Sequence, residues 1–112
     1  MRDIIKWHRH KFPKATADSQ ILHLLQEVRE FEKAESDHVL EELADIYIVA
    51  NSLKRWKRAQ SLAKEALDYY FYDFSYEYRD EILKAVEEKL KIVDKREYFW
   101  NGVDYDRIRC YR

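Results

Sequence analysis

Pro13 is the only proline and Gly102 the only glycine among 112 residues. These two residue types are the strongest breakers of regular structure, and of helices above all. A chain with so few of them is expected to run in long helices joined by short connections. The apolar spacing agrees. Residues 2–11 read as a short helix ending near Phe12-Pro13, because the residue before a proline disfavours helix. "KATADSQ" reads as a turn, with Thr16 or Asp18 as the N-cap of a second helix over about 19–34. Ile21, Leu24, Val28 and Phe31 form the apolar stripe of that helix. "AESD" interrupts the pattern, and Ser36 or Asp37 is expected to cap a third helix over about 38–57. Its basic end, Lys54, Arg55, Lys57 and Arg58, suits a helix C-terminus.

"AQSLAKEALDYYFYDFSYEY" predicts a short helix over 59–72, or else an irregular connector packed through Tyr69, Tyr70, Phe71, Tyr72, Phe74, Tyr76 and Tyr78. A last helix over about 77–96 carries the stripe Ile82, Val86, Leu90 and Val93. Asn101-Gly102 marks a turn in a short tail, 97–112, whose last part, "VDYDRIRCYR", is expected to be extended. The expected class is all-α, a bundle of four to five helices in one domain over residues 1–112.

Composition removes several function classes. At 46% hydrophobic and 38% charged, the chain is neither disordered nor built to span a bilayer. Its 21 basic and 22 acidic residues leave a net charge of −1, which argues against a nucleic-acid or membrane-surface partner. Cys110 is the sole cysteine, so no internal disulfide can form, and it has no evident role. "MRDIIKWHRH" lacks the apolar run of a signal peptide. The expectation is a cytoplasmic protein.

Two pairs of acids interrupt this pattern. At about 100° per residue, Glu27 falls on the arc of Leu24 and Phe31, with Glu30 one turn on at its polar edge. On the third helix Glu42 falls between Ile46 and Val49, and Asp45 at the edge of the same arc. Each pair is spaced i, i+3, which is one face. Packed together, four carboxylates would repel and stay partly protonated. A hard divalent cation such as Mg²⁺ is the usual remedy, and it keeps waters for a substrate phosphate. On the last helix Lys89 and Arg96, seven apart, turn positive charge toward the same interior. Taken singly, each of these residues is more often solvated or salt-bridged. Together they form a sharper pattern. His8 and His10 read as surface residues, about 200° apart on a helix and poorly placed to share a metal.

The string "Q20-x6-E27-x2-E30 … E41-E42-L-A-D45" resembles the all-alpha nucleoside triphosphate pyrophosphohydrolases, the group of MazG and the dimeric dUTPases. Their pattern is ExxE, a spacer of about a dozen residues or more, then ExxD; here the spacer is residues 31–41. "W7 … F12-P13 … T16" resembles the lead-in of small MazG-like members. The resemblance covers about residues 5–55 and, loosely, 80–99, and "KREYFWNGVDYDR" is similar to the ends of some phage-type members. It implies a MazG-like bundle completed by assembly into a homodimer or tetramer. It implies Mg²⁺, with Mn²⁺ as a substitute, on Glu27, Glu30, Glu42 and Asp45. The implied reaction cleaves a (d)NTP to the monophosphate and pyrophosphate, in a house-cleaning or pool-regulating role. Glu30 or Glu42 would activate the water, Lys89 and Arg96 would hold phosphates, and the base would stack near Trp7, His23 or the tyrosine-rich region. The chain departs from the pattern in two places. No Asn stands between Lys89 and Arg96, and His23 occupies a position where many members carry Lys.

Two rival readings use the same residues. A non-catalytic module that keeps the fold could sense a nucleotide or bind a protein through the aromatic segment 69–78. Alternatively, the inward acids and bases could pair only with each other.

Overall fold

The computed structural model describes residues 2–71 and 78–108. Five helices occupy most of them: α1 Ile4–Lys11, α2 Ala17–Lys33, α3 Val39–Leu53, α4 Gln60–Phe71 and α5 Arg79–Lys95. A two-stranded antiparallel hairpin, β1 Tyr98–Trp100 and β2 Tyr105–Arg107, follows α5. Cys110 and the aromatic residues Tyr72, Phe74 and Tyr76 lie outside the described residues.

The central element is α3, which packs against α1, α2, α4 and α5. Ile46, Ala50 and Leu53 along it are fully buried. One apolar cluster joins α3 to α1 and α5 through Ile4, Leu43, Ile48, Ile82, Val86 and Leu90. A second joins it to α2 and α4 through Leu24, Val49, Ala59 and Ala63. Burial of a Leu or Ile side chain contributes roughly 1.5–3 kcal/mol, so these clusters dominate the stability of the bundle.

Local signals explain the ends. Thr16, rather than Asp18, caps α2 in a reciprocal box: its hydroxyl accepts from the Ser19 amide, and the Ser19 hydroxyl accepts from the Thr16 amide, both at 3.0 Å. Neither Ser36 nor Asp37 caps α3. They form a 3₁₀ turn, Ser36–His38, and α3 begins behind His38 with no side-chain cap bond. The third helix also ends before 57. The amides of Lys54, Arg55 and Trp56 bond to carbonyls three residues back, tightening the last turn, and Trp56 is extended. The short helix over 59–72 is present as α4, and the last helix begins at Arg79 and stops at Lys95, so Arg96 is its extended C-cap.

The chain reverses at Asn101–Asp104, where Asn101-Gly102 signals a turn, and Tyr105–Arg107 beyond it is extended. Its antiparallel pairing with Tyr98–Trp100 departs from expectation, so among the described residues the fold is helical with one hairpin rather than purely all-α. The Asn101 Oδ1 accepts from the amides of Val103 and Asp104 at 2.8 Å, and Gly102 supplies the positive φ of 99° that the turn needs. Phe12 holds the hairpin to the helices. Its ring meets Tyr98 and Tyr105 edge-on at 4.9 and 5.1 Å. The Tyr105 hydroxyl accepts from the Lys14 amide at 2.8 Å. No helix among the described residues is long and apolar enough to cross a membrane.

Candidate metal centre and cleft

Positions 20, 24 and 27 of α2 recur at helical spacing and face α3, so Gln20, Leu24 and Glu27 are all buried. Positions 42 and 45 of α3 turn toward them, half-buried. One carboxylate oxygen each from Glu27, Glu42 and Asp45 lies within 4.8 Å of the others. Glu30 is not part of this group. It is exposed, lines the cleft beside it, and takes a long 3.4 Å contact from the Gln26 amide. The i, i+3 pairing therefore holds on α3 and splits on α2. The inward side of α2 closes on α3 at Glu27, while Glu30, a turn further on, stays in solvent.

The electrostatics show the strain of this grouping. Lys89 Nζ on α5 stands 3.2 Å from Asp45 Oδ1. Burial nevertheless pushes Asp45 up to about 6, with Glu27 and Glu42 adding to the effect against the opposing Lys89 charge. Burial, followed by the charges of Glu30 and Glu27, also pushes Glu42 up. His23 Nε2 lies 3.2 Å from Glu27 Oε1. Burial works to lower the His23 pKa, but the hydrogen bond and charge of Glu27, with Asp104 and Asp45, outweigh it and the imidazole is raised.

After these partners are counted, Glu27 Oε2 and Glu42 Oε2 remain buried with no hydrogen-bond partner. An unsatisfied buried carboxylate oxygen is costly. The donor set is entirely hard oxygen, which selects Mg²⁺ or a similar cation over softer metals. Oxygens around one Mg²⁺, each about 2.1 Å from it, lie about 3–4 Å apart. The three carboxylates are within a small side-chain adjustment of that spacing, so the residues suit a divalent ion.

A cleft of about 500 Å³ opens from this cluster. Glu27, Glu30, Asp45 and Lys89 line it, as do Trp7, Phe12, Arg96 and the hairpin. Lys89 is half-buried and engaged with Asp45; Arg96 lines the cleft with its guanidinium unpaired among the described residues. Trp7 lines the cleft too, yet it also packs on the core, and its indole N–H donates to Asp94 at 2.8 Å.

One sequence reading is overturned outright. His8 is not a surface residue but 4% exposed. Arg55 donates to its Nδ1 at 3.1 Å, and burial with the Arg55 charge drives His8 down to about 3, so the ring is neutral. The other ring nitrogen then carries the proton, and Gln20 is its partner. The chain continues through Gln20 Nε2 to Ser52 Oγ at 2.7 Å and from Ser52 to the Val49 carbonyl at 2.6 Å. Arg55 also donates to the carbonyls of Phe12 and Pro13 at 2.9 and 3.1 Å. It therefore caps α1, not its own helix. Sequence reasoning missed this network, and the only local trace of it was Gln20, a polar residue in phase with Leu24 and Glu27.

Comparison with family models, with curated proteins and with solved structures found no match. The functional reading is therefore drawn from the site itself and from the motif resemblance.

Proposed function

We propose that this chain is a Mg²⁺-dependent nucleotide pyrophosphohydrolase of MazG-like type, cleaving a (d)NTP to (d)NMP and pyrophosphate. The observation that carries the reading is the pair of orphaned, buried oxygens on Glu27 and Glu42, converging with Asp45. A polar interior of this kind is stabilised by a divalent cation and destabilised without one. Glu27, Glu42 and Asp45 would hold the ion, with Glu30 at the wet rim as a fourth ligand or as a base. When bound, the ion supplies charge neutralisation for the polyphosphate and favours ionisation of water. The protein's own groups do the rest. Glu30 or Glu42 accepts the proton of the attacking water while the bond to the departing pyrophosphate breaks. Lys89 and Arg96 offset the charge that collects on that leaving group. Trp7 and His23 would line the base pocket. Assembly into a homodimer or tetramer would complete the bundle.

The test is pyrophosphate release with Mg²⁺ or Mn²⁺ across canonical and modified (d)NTPs, with Glu42→Gln alongside. Release that vanishes in the folded variant supports the reading, and no release from any nucleotide ends it. A second reading, a non-catalytic module whose acids serve only as structural ion pairs, draws on the Lys89–Asp45 and His23–Glu27 contacts. Under it Glu42→Gln changes nothing or raises stability, and Mg²⁺ leaves the melting temperature unmoved.

A further inference from the structure

We propose that the C-terminal hairpin is a wall of the binding site and that Arg107 on it anchors the phosphate chain of a polyphosphate ligand; this rests on the pyrophosphohydrolase reading above.

The strand register places Tyr98 opposite Arg107 and Trp100 opposite Tyr105. Directly opposed residues of an antiparallel pair project to one face. Tyr98 and Tyr105 on that face both meet Phe12, so it is the face turned toward the helices. Arg107 shares it and lines the cleft. Its guanidinium is exposed and has no ion-pair or hydrogen-bond partner among the described residues.

The acids near it are otherwise engaged. Asp106 Oδ2 accepts from Asn101 Nδ2 at 2.8 Å, and Asp104 Oδ1 accepts from the Tyr105 amide at 2.8 Å. Both carboxylates shape the turn and line the cleft as well, but neither forms an ion pair with Arg107. Arg96, two residues before β1, is the other unpaired guanidinium in the cleft lining. The Ile108 amide bonds to the Glu97 carbonyl at 2.8 Å and holds the two ends of the hairpin together, beside both arginines. Lys89, by contrast, is held by Asp45.

Two planar forks at the hairpin root match the bidentate geometry of phosphate oxygens, which a lysine cannot reproduce. The carboxylate cluster in the same cleft would grip such a chain through a divalent cation. A ligand with several linked phosphates satisfies both ends, whereas a simple carboxylate or a single phosphate satisfies one. Inorganic tripolyphosphate and a nucleoside triphosphate share this chemistry.

The experiment is titration calorimetry on the full chain in Mg²⁺. The two probes are inorganic tripolyphosphate and a nucleoside triphosphate with a non-hydrolysable α,β bridge. Arg107→Gln and Arg107→Lys are compared with wild type, with Arg79→Gln on the first turn of α5 as a remote control. Arg107→Gln is expected to weaken both probes about tenfold, or about 1.4 kcal/mol. Arg107→Lys should recover only part of this, Arg79→Gln should change nothing, and all variants should melt with wild type. A tighter hold on the nucleotide analogue than on tripolyphosphate marks the nucleotide as the ligand, and equal affinities mark the phosphate chain alone. Unchanged affinity in Arg107→Gln overturns the proposal, as does failure of wild type to bind either probe. Wild-type turnover with an unaltered KM in Arg107→Gln removes this inference and spares the pyrophosphohydrolase. Arg107-dependent binding without turnover of any nucleotide removes the pyrophosphohydrolase and spares the inference.

Discussion

Lys89 on α5 and Asp45 on α3 are joined at 3.2 Å across the interior of the bundle, yet the Asp45 carboxyl is raised to about 6. A single lysine does not offset the burial of Asp45 beside Glu27 and Glu42. Lys89→Met should therefore destabilise the protein by about 1–3 kcal/mol at pH 8, below the 3–5 kcal/mol of a fully buried pair because both side chains keep some exposure. The loss should shrink at pH 5, where Asp45 takes up a proton and no longer needs its partner. Urea denaturation at the two pH values measures it, and an equal loss at both would contradict the pairing.

The orphaned oxygens predict a stabilising response to metal. Saturating Mg²⁺, at about 100 times its Kd, should add about 2.7 kcal/mol to wild type and raise the melting temperature by several degrees. In Glu42→Gln the response should disappear. The sign with pH follows from Asp45. Its folded pKa is raised from 3.8 to about 6, so its contribution to stability is present below 3.8 and lost as pH rises through 6. A bound cation relieves that loss, so the Mg²⁺ shift should be large at pH 8 and small at pH 5. A shift of the same size at both pH values would exclude Asp45 as a ligand.

His8 gives the opposite pH dependence. It protonates near 6.5 when unfolded and only near 3 when folded, so its contribution is intact above pH 6.5 and lost as pH falls toward 3. The slope is about 1.4 kcal/mol per pH unit at most. His8→Gln should flatten the acid limb of the stability curve while lowering stability at pH 8. In wild type, the imidazole resonances of His8 should show no titration between pH 8 and 5; a midpoint near 6.5 would refute its burial against Arg55.

Ser52→Ala removes the acceptor of the buried Gln20 amide, which bonds to it at 2.7 Å. A stranded donor costs about 1–3 kcal/mol, and chemical denaturation should show that loss. Ser52→Ala combined with Gln20→Leu, which removes both partners, should restore part of it. Additive losses in the double variant would show that the two side chains do not interact.

Much of this protein was legible in its residues. One glycine and one proline dictated helices, and the 3.6-residue period located α2, α3 and α5 to within a few residues, because each helix buries its own stripe. The same period turned Glu27, Glu42 and Asp45 inward, since orientation on a helix is a local property. Tertiary structure alone decided the rest. Glu30 shares a helix face with Glu27, yet only Glu27 is covered by α3, because coverage depends on where two helices cross. His8 became a buried neutral imidazole through Arg55, 47 positions away. The tail became a wall of the cleft because Phe12 offers Tyr98 and Tyr105 a ring to pack on. Periodicity reports which way a side chain faces, while burial and pairing depend on what another part of the chain brings to it.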